Sequence, residues 1–496
     1  MKANKKIIVI GSGFAGLSAA GLLAKSGHDV TILEKNDQPG GRARIWEKDG
    51  FVFDMGPSWY WMPEVFENYY NLFGKRTADF YELKRLDPGY RIYYKNNEKI
   101  DVPASLEELI KLFEAREPGS GDKLRSFMAD AQYKYKTAMD EYVHRISDSV
   151  TEYFDLKLII KSFQLQIFQS LRSEVRKKFK NPELVSLLEF PVLFLGSTPG
   201  KTPAMYSMMN YADLVLGTWY PMGGMNQIVK AMHAIAIENG VKVFLNQEVT
   251  KIEIGNKKAK RVYTADKVYE ADVIVAGSDY NHTEQFLLNE EYRTYDSTYW
   301  DKRTLSPSSL LFYIGVNKKL PELLHHNLFF DADFELHADE IYNHPKWPTE
   351  PLFYACVTSK TDPTAAPEGM ENLFLLMPVA PGIEDTEEMR NKYFNLFIER
   401  IEKRIGMRFK ENIVVNRSYC VKDFEKDYHS FKGNAYGLAN TLMQTAILKP
   451  KMISPKVKNL FYTGQLTVPG PGVPPAIISG QIVAKEINRQ IEKHLI

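Results

Sequence analysis

Three glycines near the N-terminus, Gly11, Gly13 and Gly16, have the spacing G-x-G-x-x-G. They follow a short apolar run at 7–10, which is typical of a strand buried on both faces, and a helical pattern comes directly after them. In this setting the first glycine permits a tight turn, the second lets the backbone approach a pyrophosphate, and the third lets helix and strand pack closely. Because the start of a helix presents free N–H groups to phosphates, the pattern predicts a dinucleotide-binding site.

Glu34 extends this prediction to the sugar of the nucleotide. A second apolar run at 29–33 ends at Glu34, 18 residues after Gly16, where a carboxylate can accept hydrogen bonds from ribose hydroxyls. Since the same negative charge would repel a 2′-phosphate, the sequence disfavours NADP as the ligand.

Composition and charge exclude several other classes of protein. The chain has 496 residues, 44% hydrophobic and 25% charged, as expected for a large globular protein of roughly three domains. Its 63 basic and 62 acidic residues give a net charge of +1, so no nucleic acid partner is predicted. Two cysteines, Cys356 and Cys420, are too few for a disulfide scaffold or a cysteine-rich metal site. We therefore expect a reduced, cytoplasmic setting and no bound metal.

A basic segment predicts contact with a membrane surface. No run of about 18 apolar residues occurs, so no transmembrane helix is predicted and any membrane contact should be peripheral. A basic amphipathic helix predicted at about 154–180 suits docking on the inner face of the cell membrane. The alternative is a helix that packs on its own domain and keeps a solvated basic face.

Motifs further along the chain indicate a flavin nucleotide. Gly40-Gly41-Arg42 and the Asp-Met-Gly-Pro-Ser stretch at 54–58 resemble the long dinucleotide-binding motif of the amine oxidase and phytoene desaturase flavoproteins. This resemblance implies FAD. It also implies that the loop after a last strand and the start of the following helix approach the flavin. The candidate cofactor-binding residues are Gly11, Gly13, Phe14, Ala15, Gly16, Glu34, Lys35, Gly41, Arg42, Gly56, Pro57, Ser58, Val249, Gly464, Gln465, Val473 and Pro474.

Over essentially its whole length the chain resembles the bacterial phytoene desaturases, the CrtI-type carotenoid desaturases. The stretches that carry the resemblance are FDMGPSWYWMP at 53–63, TWYPMGG at 218–224 and PGPGVP at 469–474. It implies FAD-dependent desaturation of 15-cis-phytoene toward lycopene in carotenoid biosynthesis, with hydride transfer to the flavin. Because the sequence contains one dinucleotide motif and no second one, we expect reoxidation by a quinone or O2.

The resemblance also implies an α/β fold with two discontinuous domains. A Rossmann-like FAD-binding domain of the GR2 type is expected from 1–95, 222–300 and 450–496. A mixed α+β substrate domain, with a helical membrane-facing insertion, is expected from 96–221 and 301–449.

No catalytic side chain is identified from the sequence. Glu189 and Asp213 could stabilise an allylic cation, but each could equally be a structural acid. The aromatic group Trp59, Tyr60 and Trp61 could line a tunnel or belong to the core. Four histidines are expected to be surface or structural residues: His282, His325, His326 and His429.

Several alternative functions stay open. The chain could be a carotenoid isomerase or a hydroxycarotenoid desaturase of the same family, or an amine oxidase-like enzyme. It could also be a non-enzymatic prenyl-binding protein of the same fold, although the Gly40-Gly41-Arg42 motif and the C-terminal flavin elements argue against that.

Overall fold

The computed structural model describes residues 4–146, 165–191 and 198–496. Within these ranges the strands are β1 (Lys6–Ile10), β2 (Asp29–Leu33), β3 (Ile45–Lys48), β4 (Phe51–Asp54), β5 (Leu83–Arg85), β6 (Tyr90–Tyr94), β7 (Lys99–Val102), β8 (Trp219–Pro221), β9 (Lys242–Phe244), β10 (Lys251–Gly255), β11 (Lys258–Tyr263), β12 (Val268–Glu270), β13 (Val273–Ala276), β14 (Ser308–Val316), β15 (His326–Phe330), β16 (Phe353–Cys356), β17 (Glu371–Val379), β18 (Ile413–Tyr419) and β19 (Leu460–Tyr462). The α-helices are α1 (Phe14–Lys25), α2 (Pro63–Asn71), α3 (Leu106–Arg116), α4 (Ser120–Thr137), α5 (Leu171–Lys178), α6 (Pro182–Glu189), α7 (Met208–Leu214), α8 (Asn226–Glu238), α9 (Tyr280–His282), α10 (Ser297–Asp301), α11 (Phe334–Tyr342), α12 (Glu387–Ile405), α13 (Val421–Tyr428) and α14 (Val473–Glu492).

A five-stranded parallel sheet forms the first layer, in the order β19-β13-β1-β2-β9. Its central strand is buried on both faces, as the apolar run at 7–10 predicts. Ile7 and Val9 pack with α1, α8 and α14, whereas Ile8 and Ile10 pack toward the small antiparallel sheet β10-β11-β12. The strands come from widely separated parts of the chain, and the predicted α/β class with a Rossmann-like layer is confirmed.

A seven-stranded mixed sheet forms the second layer, in the order β18-β14-β17-β16-β15-β6-β7. Alternate residues of β14 face opposite sides. Phe312 packs with Phe397 of α12, whereas Leu311 packs with the helices α3 to α6. β6 lies at the end of the expected first segment, yet it pairs in parallel with β15 of this second sheet.

The basic segment at 154–180 is not one continuous helix. Residues 147–164 lie outside the described residues. From 165 to 169 the chain forms turns and a bend, and Ser170 then makes a bridge to Pro203. The Ser170 hydroxyl accepts a hydrogen bond from Ser173 N at 3.2 Å and so starts α5, which ends at Lys178. The predicted uninterrupted helix is therefore wrong at 165–170, because a serine N-cap begins a new helix there.

The helices of the described ranges include none with the length and apolar character needed to cross a membrane.

Candidate functional site

A cavity of about 410 Å³ lies between the two large sheets; we call it the chamber. At one end it is lined by Ile10, Leu33 and Gly277, at the carboxyl ends of β1, β2 and β13, where ligands of open α/β sheets bind. At the other end it is lined by residues of β14, β16 and β17. The candidate cofactor-binding residues named above line this chamber, with the exception of Gly16.

The glycine turn has the geometry that a bound pyrophosphate needs. Gly11 has a φ of 92°, and its N–H donates to Leu33 O at 2.8 Å, which joins the turn to β2. A Cβ on Gly16 would lie 2.1 Å from Gly11 O, so Gly16 serves the close packing of α1 on β1. A Cβ on Gly13 would meet nothing within 4 Å. Gly13 precedes α1 without a side-chain cap from the described residues, which leaves the first N–H groups facing the chamber.

Glu34 holds the glycine turn as well as facing the chamber. Its side chain is buried, and Oε2 accepts hydrogen bonds from Ser12 N at 2.7 Å and from Ser12 Oγ at 2.6 Å. Oε1 accepts from Asn36 N at 2.9 Å and from Asn36 Nδ2 at 3.1 Å. A carboxylate has about four acceptor sites, so a ribose hydroxyl must replace one of the two side-chain donors. The sequence by itself gives no sign of this second role of Glu34.

Arg42 is a half-buried cation whose hydrogen bonds are incomplete. Its Nη2 donates to Ser430 Oγ at 2.8 Å and to Asn434 O at 3.3 Å, and the guanidinium lies 5.0 Å from the Tyr428 ring centroid. Its Nε is buried with no hydrogen-bond partner among the described residues. Burial lowers the pKa of Arg42, although the nearby Asp279 carboxylate raises it. An anionic group such as a diphosphate would satisfy this guanidinium.

The C-terminal loop faces the same chamber. Ser479, which the sequence argument missed, holds this loop: its Oγ accepts from Gly464 N at 2.9 Å and bonds to Thr463 Oγ1 at 2.8 Å. α14 begins at Val473 after Gly472, with no side-chain cap from the residues that the structure describes. Its free N–H groups and positive dipole end are thus available to a ligand in the chamber.

The two tryptophans of the predicted aromatic group line the far end of the chamber. The Trp59 ring stacks on the His326 ring with centroids 4.1 Å apart and an interplanar angle of 7°. Trp61 Nε1 donates to Thr218 Oγ1 at 2.8 Å. Tyr60 is instead a core residue, fully buried, with its hydroxyl 3.1 Å from Tyr81 Oη.

The two carboxylates considered for cation stabilisation do not line the chamber. Glu189 pairs with Arg176 at 2.9 Å, and Asp213 accepts from Tyr90 Oη at 2.8 Å and from Thr218 Oγ1 at 3.1 Å. Burial raises the pKa of Asp213 to about 7, while those two hydrogen bonds oppose the shift. Both acids make structural contacts, and neither is placed to contact a molecule in the chamber.

Two histidines line the nucleotide end of the chamber, and two more lie behind its other end. His282 and His429 line the nucleotide end and stack with ring centroids 3.9 Å apart, and burial lowers the pKa of His282 to about 3. His325 and His326 are buried behind the far end, where His326 Nδ1 lies 2.6 Å from Tyr354 Oη. The sequence carries no local signal for this contact, because His326 and Tyr354 lie on different strands.

Comparison with known proteins places the chain in a family. Residues 14–488 match the model of the flavin containing amine oxidoreductases. A carotenoid 3,4-desaturase of Haloarcula japonica is 39% identical over 98% of this chain and 99% of its own length. A zeta-carotene-forming phytoene desaturase of Myxococcus xanthus is 30% identical over 98% of this chain and 94% of its own length. An oxidoreductase of Methanosarcina mazei shares the fold, with a TM-score of 0.64, 17% identity, and coverage of 97% of this chain and 100% of that one. The chain therefore belongs to the flavin-containing amine oxidoreductase family, in the branch that includes these carotenoid desaturases, and its cofactor is FAD.

Proposed function

We propose that this protein is a carotenoid desaturase that oxidises phytoene toward lycopene. The observation that carries the proposal is the continuity of the chamber. It extends from the nucleotide turn to an end lined by Trp59, Trp61, Met209, Leu311 and Leu376. A hydrocarbon offers no polar handle, so the cofactor performs the oxidation while the protein supplies orientation, dry surroundings and electrostatics. An apolar aromatic space in direct continuity with a flavin site meets these needs.

The cofactor would be held at several points along the chamber. The N–H groups at the start of α1, beside Gly13, would bind the pyrophosphate together with Arg42, and Glu34 would bind the ribose. Val249 would meet the adenine. The Gly464 loop and the start of α14 would face the flavin, where the positive helix end stabilises negative charge on the ring. When bound, FAD supplies a group that can accept a hydride from a carbon atom.

A second substrate is favoured by one specific observation. The relative that is 39% identical is named as a carotenoid 3,4-desaturase, whereas the one named as a phytoene desaturase is 30% identical. Oxidation at C3–C4 of a carotenoid is therefore the second candidate function. Both candidates remove hydrogen from adjacent carbons of an apolar chain, so they make the same demands on the chamber.

We also propose that the protein works at a membrane surface and passes its electrons to a quinone or O2. Phytoene and quinones dissolve in lipid. Phe168 is 71% exposed and is followed by α5, where Lys177 is exposed, as is Lys180 just after the helix. An exposed aromatic beside exposed ammonium groups suits contact with an anionic bilayer at the inner face of the cell membrane.

The test is an anaerobic incubation of the FAD-loaded protein with carotenoids in liposomes, with and without a quinone. One arm contains phytoene, and the other a carotenoid that is saturated at C3–C4. Flavin bleaching and a new coloured polyene in the phytoene arm would support the main proposal, and the same result only in the other arm would support the second candidate. Isomerised phytoene without new double bonds would contradict both and identify an isomerase.

A further inference from the structure

We propose that Tyr354 and His326 form the proton acceptor of the desaturation, with Tyr354 as the group that touches the substrate. This inference rests on the proposed function. Removal of a hydride from an allylic carbon leaves a cation, and a double bond forms only when the neighbouring carbon loses a proton. Where the substrate fills the apolar end of the chamber, the proton needs a protein group beside the reacting carbon to accept it.

The titratable groups that line the chamber divide between its two ends. Those at the nucleotide end are Glu34, Lys35, Arg42, Glu248, Asp279, Tyr280, His282, Asp427, Tyr428 and His429. The phenol among them that could compete with Tyr354, that of Tyr280, donates its hydrogen bond to Lys451 O. At the apolar end, the described residues offer the phenols of Tyr354 and Tyr436. The Tyr436 hydroxyl makes no hydrogen bond to an imidazole of the described residues, and Ser309 Oγ on the same wall of the chamber has no hydrogen-bond partner among them. Tyr354 Oη is hydrogen-bonded to the imidazole of His326, which can accept a proton and keep it.

The sheet places these two side chains together. His326 of β15 lies opposite Cys356 of β16, and Tyr354 lies two residues before Cys356. His326 and Tyr354 are therefore diagonal neighbours on one face of an antiparallel pair. Tyr354 Oη lies 2.6 Å from His326 Nδ1 and 3.1 Å from Ser58 Oγ, so its one proton has two acceptors within reach, and the shorter contact is the one to the imidazole.

The surroundings of His326 keep its imidazole neutral before the reaction, and one neighbouring ring offsets part of the cost of charging it. Burial lowers the pKa of His326 well below its ordinary value, with a further contribution from His325, so the imidazole is neutral. When Tyr354 donates to Nδ1, the remaining ring proton is on Nε2, which has no partner in the part of the chain that the structure describes. The stacked face of Trp59 would stabilise the imidazolium by a cation–π interaction.

The step balances in atoms and electrons. Both electrons of one C–H bond leave with the hydride to FAD, the oxidant of the proposed function. The neighbouring C–H bond then breaks, and its electron pair becomes the new π bond. Its proton goes to Tyr354 Oη, while the proton of Tyr354 moves to His326 Nδ1. An allylic cation is a far stronger acid than an imidazolium, so the transfer is favourable. The quinone or O2 finally takes two electrons and two protons, which restores the neutral imidazole.

Three variants test the assignment: Tyr354→Phe and His326→Gln, with Tyr436→Phe as the matched control. The readout is the single-turnover rate at which the new double bond appears in the absorbance of the carotenoid, in liposomes without O2, because flavin bleaching reports only the preceding hydride removal. We expect Tyr354→Phe and His326→Gln each to slow double-bond formation by about 10²–10⁴-fold, the usual contribution of a positioned acid–base group. Tyr436→Phe keeps the aromatic ring that lines the chamber and should slow double-bond formation far less than Tyr354→Phe. The double variant of Tyr354 and His326 should be no slower than the slower single variant, because both changes interrupt one path.

A second readout does not depend on turnover. The ¹⁵N resonances of the His326 imidazole, assigned by their absence in His326→Gln, should report a neutral ring. They should shift in Tyr354→Phe and stay unchanged in Tyr436→Phe. If His326→Gln does not fold, Tyr354→Phe alone decides, because it keeps the aromatic ring. Flavin content and melting temperature identify a variant that has lost its fold.

Three outcomes would overturn the assignment. A wild-type rate of double-bond formation in Tyr354→Phe would remove the proton path and leave the desaturase proposal standing. No bleaching of wild-type flavin by any carotenoid would remove both. A stoichiometric transition metal in the purified protein would also overturn it, because the ligand atoms of His325, His326 and Cys356 lie within 4.8 Å of one another. A metal on Nε2 would fix the proton on Nδ1 and prevent Tyr354 from donating.

Discussion

Gly13→Ala and Gly16→Ala should have different effects. The first should weaken FAD binding, and the second should destabilise the fold. A Cβ at Gly16 would lie 2.1 Å from Gly11 O, well inside the usual C···O contact distance of about 3.3–3.6 Å. The obstructing atom belongs to the backbone of the turn and cannot rotate away. Overpacking typically costs about 1–3 kcal/mol, and we expect Gly16→Ala to reach the upper end of that range.

Gly13→Ala should behave in the opposite way. Gly13 has a φ of −67° and a ψ of 174°, which alanine adopts without strain, and its Cβ would meet no protein atom within 4 Å. The weaker helix cap and the reduced freedom of the unfolded chain roughly cancel, so we expect the free energy of unfolding to change by less than about 1 kcal/mol. The new methyl group would enter the chamber where the pyrophosphate is expected and should weaken FAD binding by tenfold or more, about 1.4 kcal/mol.

The assay is urea unfolding of both apoproteins followed by FAD titration of each refolded sample. We expect Gly16→Ala to shift the unfolding midpoint strongly and Gly13→Ala to shift it little, with FAD affinity lost in the Gly13 variant at unchanged stability. Wild-type affinity in Gly13→Ala would refute the position proposed for the pyrophosphate. Wild-type stability in Gly16→Ala would refute the packing argument.

Three further predictions concern the ribose, the membrane and pH. Glu34→Ala should yield a folded protein with greatly reduced flavin absorbance per protein, since the change leaves the donors of Ser12 and the ribose hydroxyls poorly satisfied; full occupancy would contradict the assignment. Glutamine at Lys177, Lys178 and Lys180 should move the protein from pelleted anionic liposomes to the supernatant, at about 1 kcal/mol per charge close to the surface. Glutamine at the exposed Lys257, Lys260 and Lys267, the matched control, should leave the protein bound to the liposomes. An equal loss of binding in this control would rule out the α5 region as the docking element. Burial lowers the pKa of His337 from 6.5 to about 4, so the unfolded chain binds the proton more readily and the free energy of unfolding should fall as pH falls from 6.5 toward 4. His337→Gln should flatten that slope in urea titrations across this pH range, and an unchanged slope would show that His337 is not responsible.

The nucleotide end of the chamber could be predicted from the sequence because its signals are local. The spacing of the three glycines specifies a turn with a positive φ at Gly11, an open approach to the ligand at Gly13 and close packing at Gly16. The apolar run at 7–10 can be satisfied only inside a sheet covered on both faces. Glu34 follows from its place at the end of the second strand. The fold class could be predicted for the same reason, since each of these elements is specified by its own neighbours.

Which side chains line the apolar end of the chamber depends on the tertiary structure. Asp213 and Glu189 looked suitable for cation stabilisation, but the packing of α6 and α7 turns them toward Thr218 and Arg176 instead of the chamber. Ser58 and Tyr354 are 296 residues apart in the chain, and the pairing of β15 with β16 sets Tyr354 against His326. Which face a strand residue presents depends on strand register, and register is set by contacts between distant segments. For that reason the sequence predicts a flavin site from a few dozen residues, whereas the groups around the substrate become visible only once both sheets are assembled.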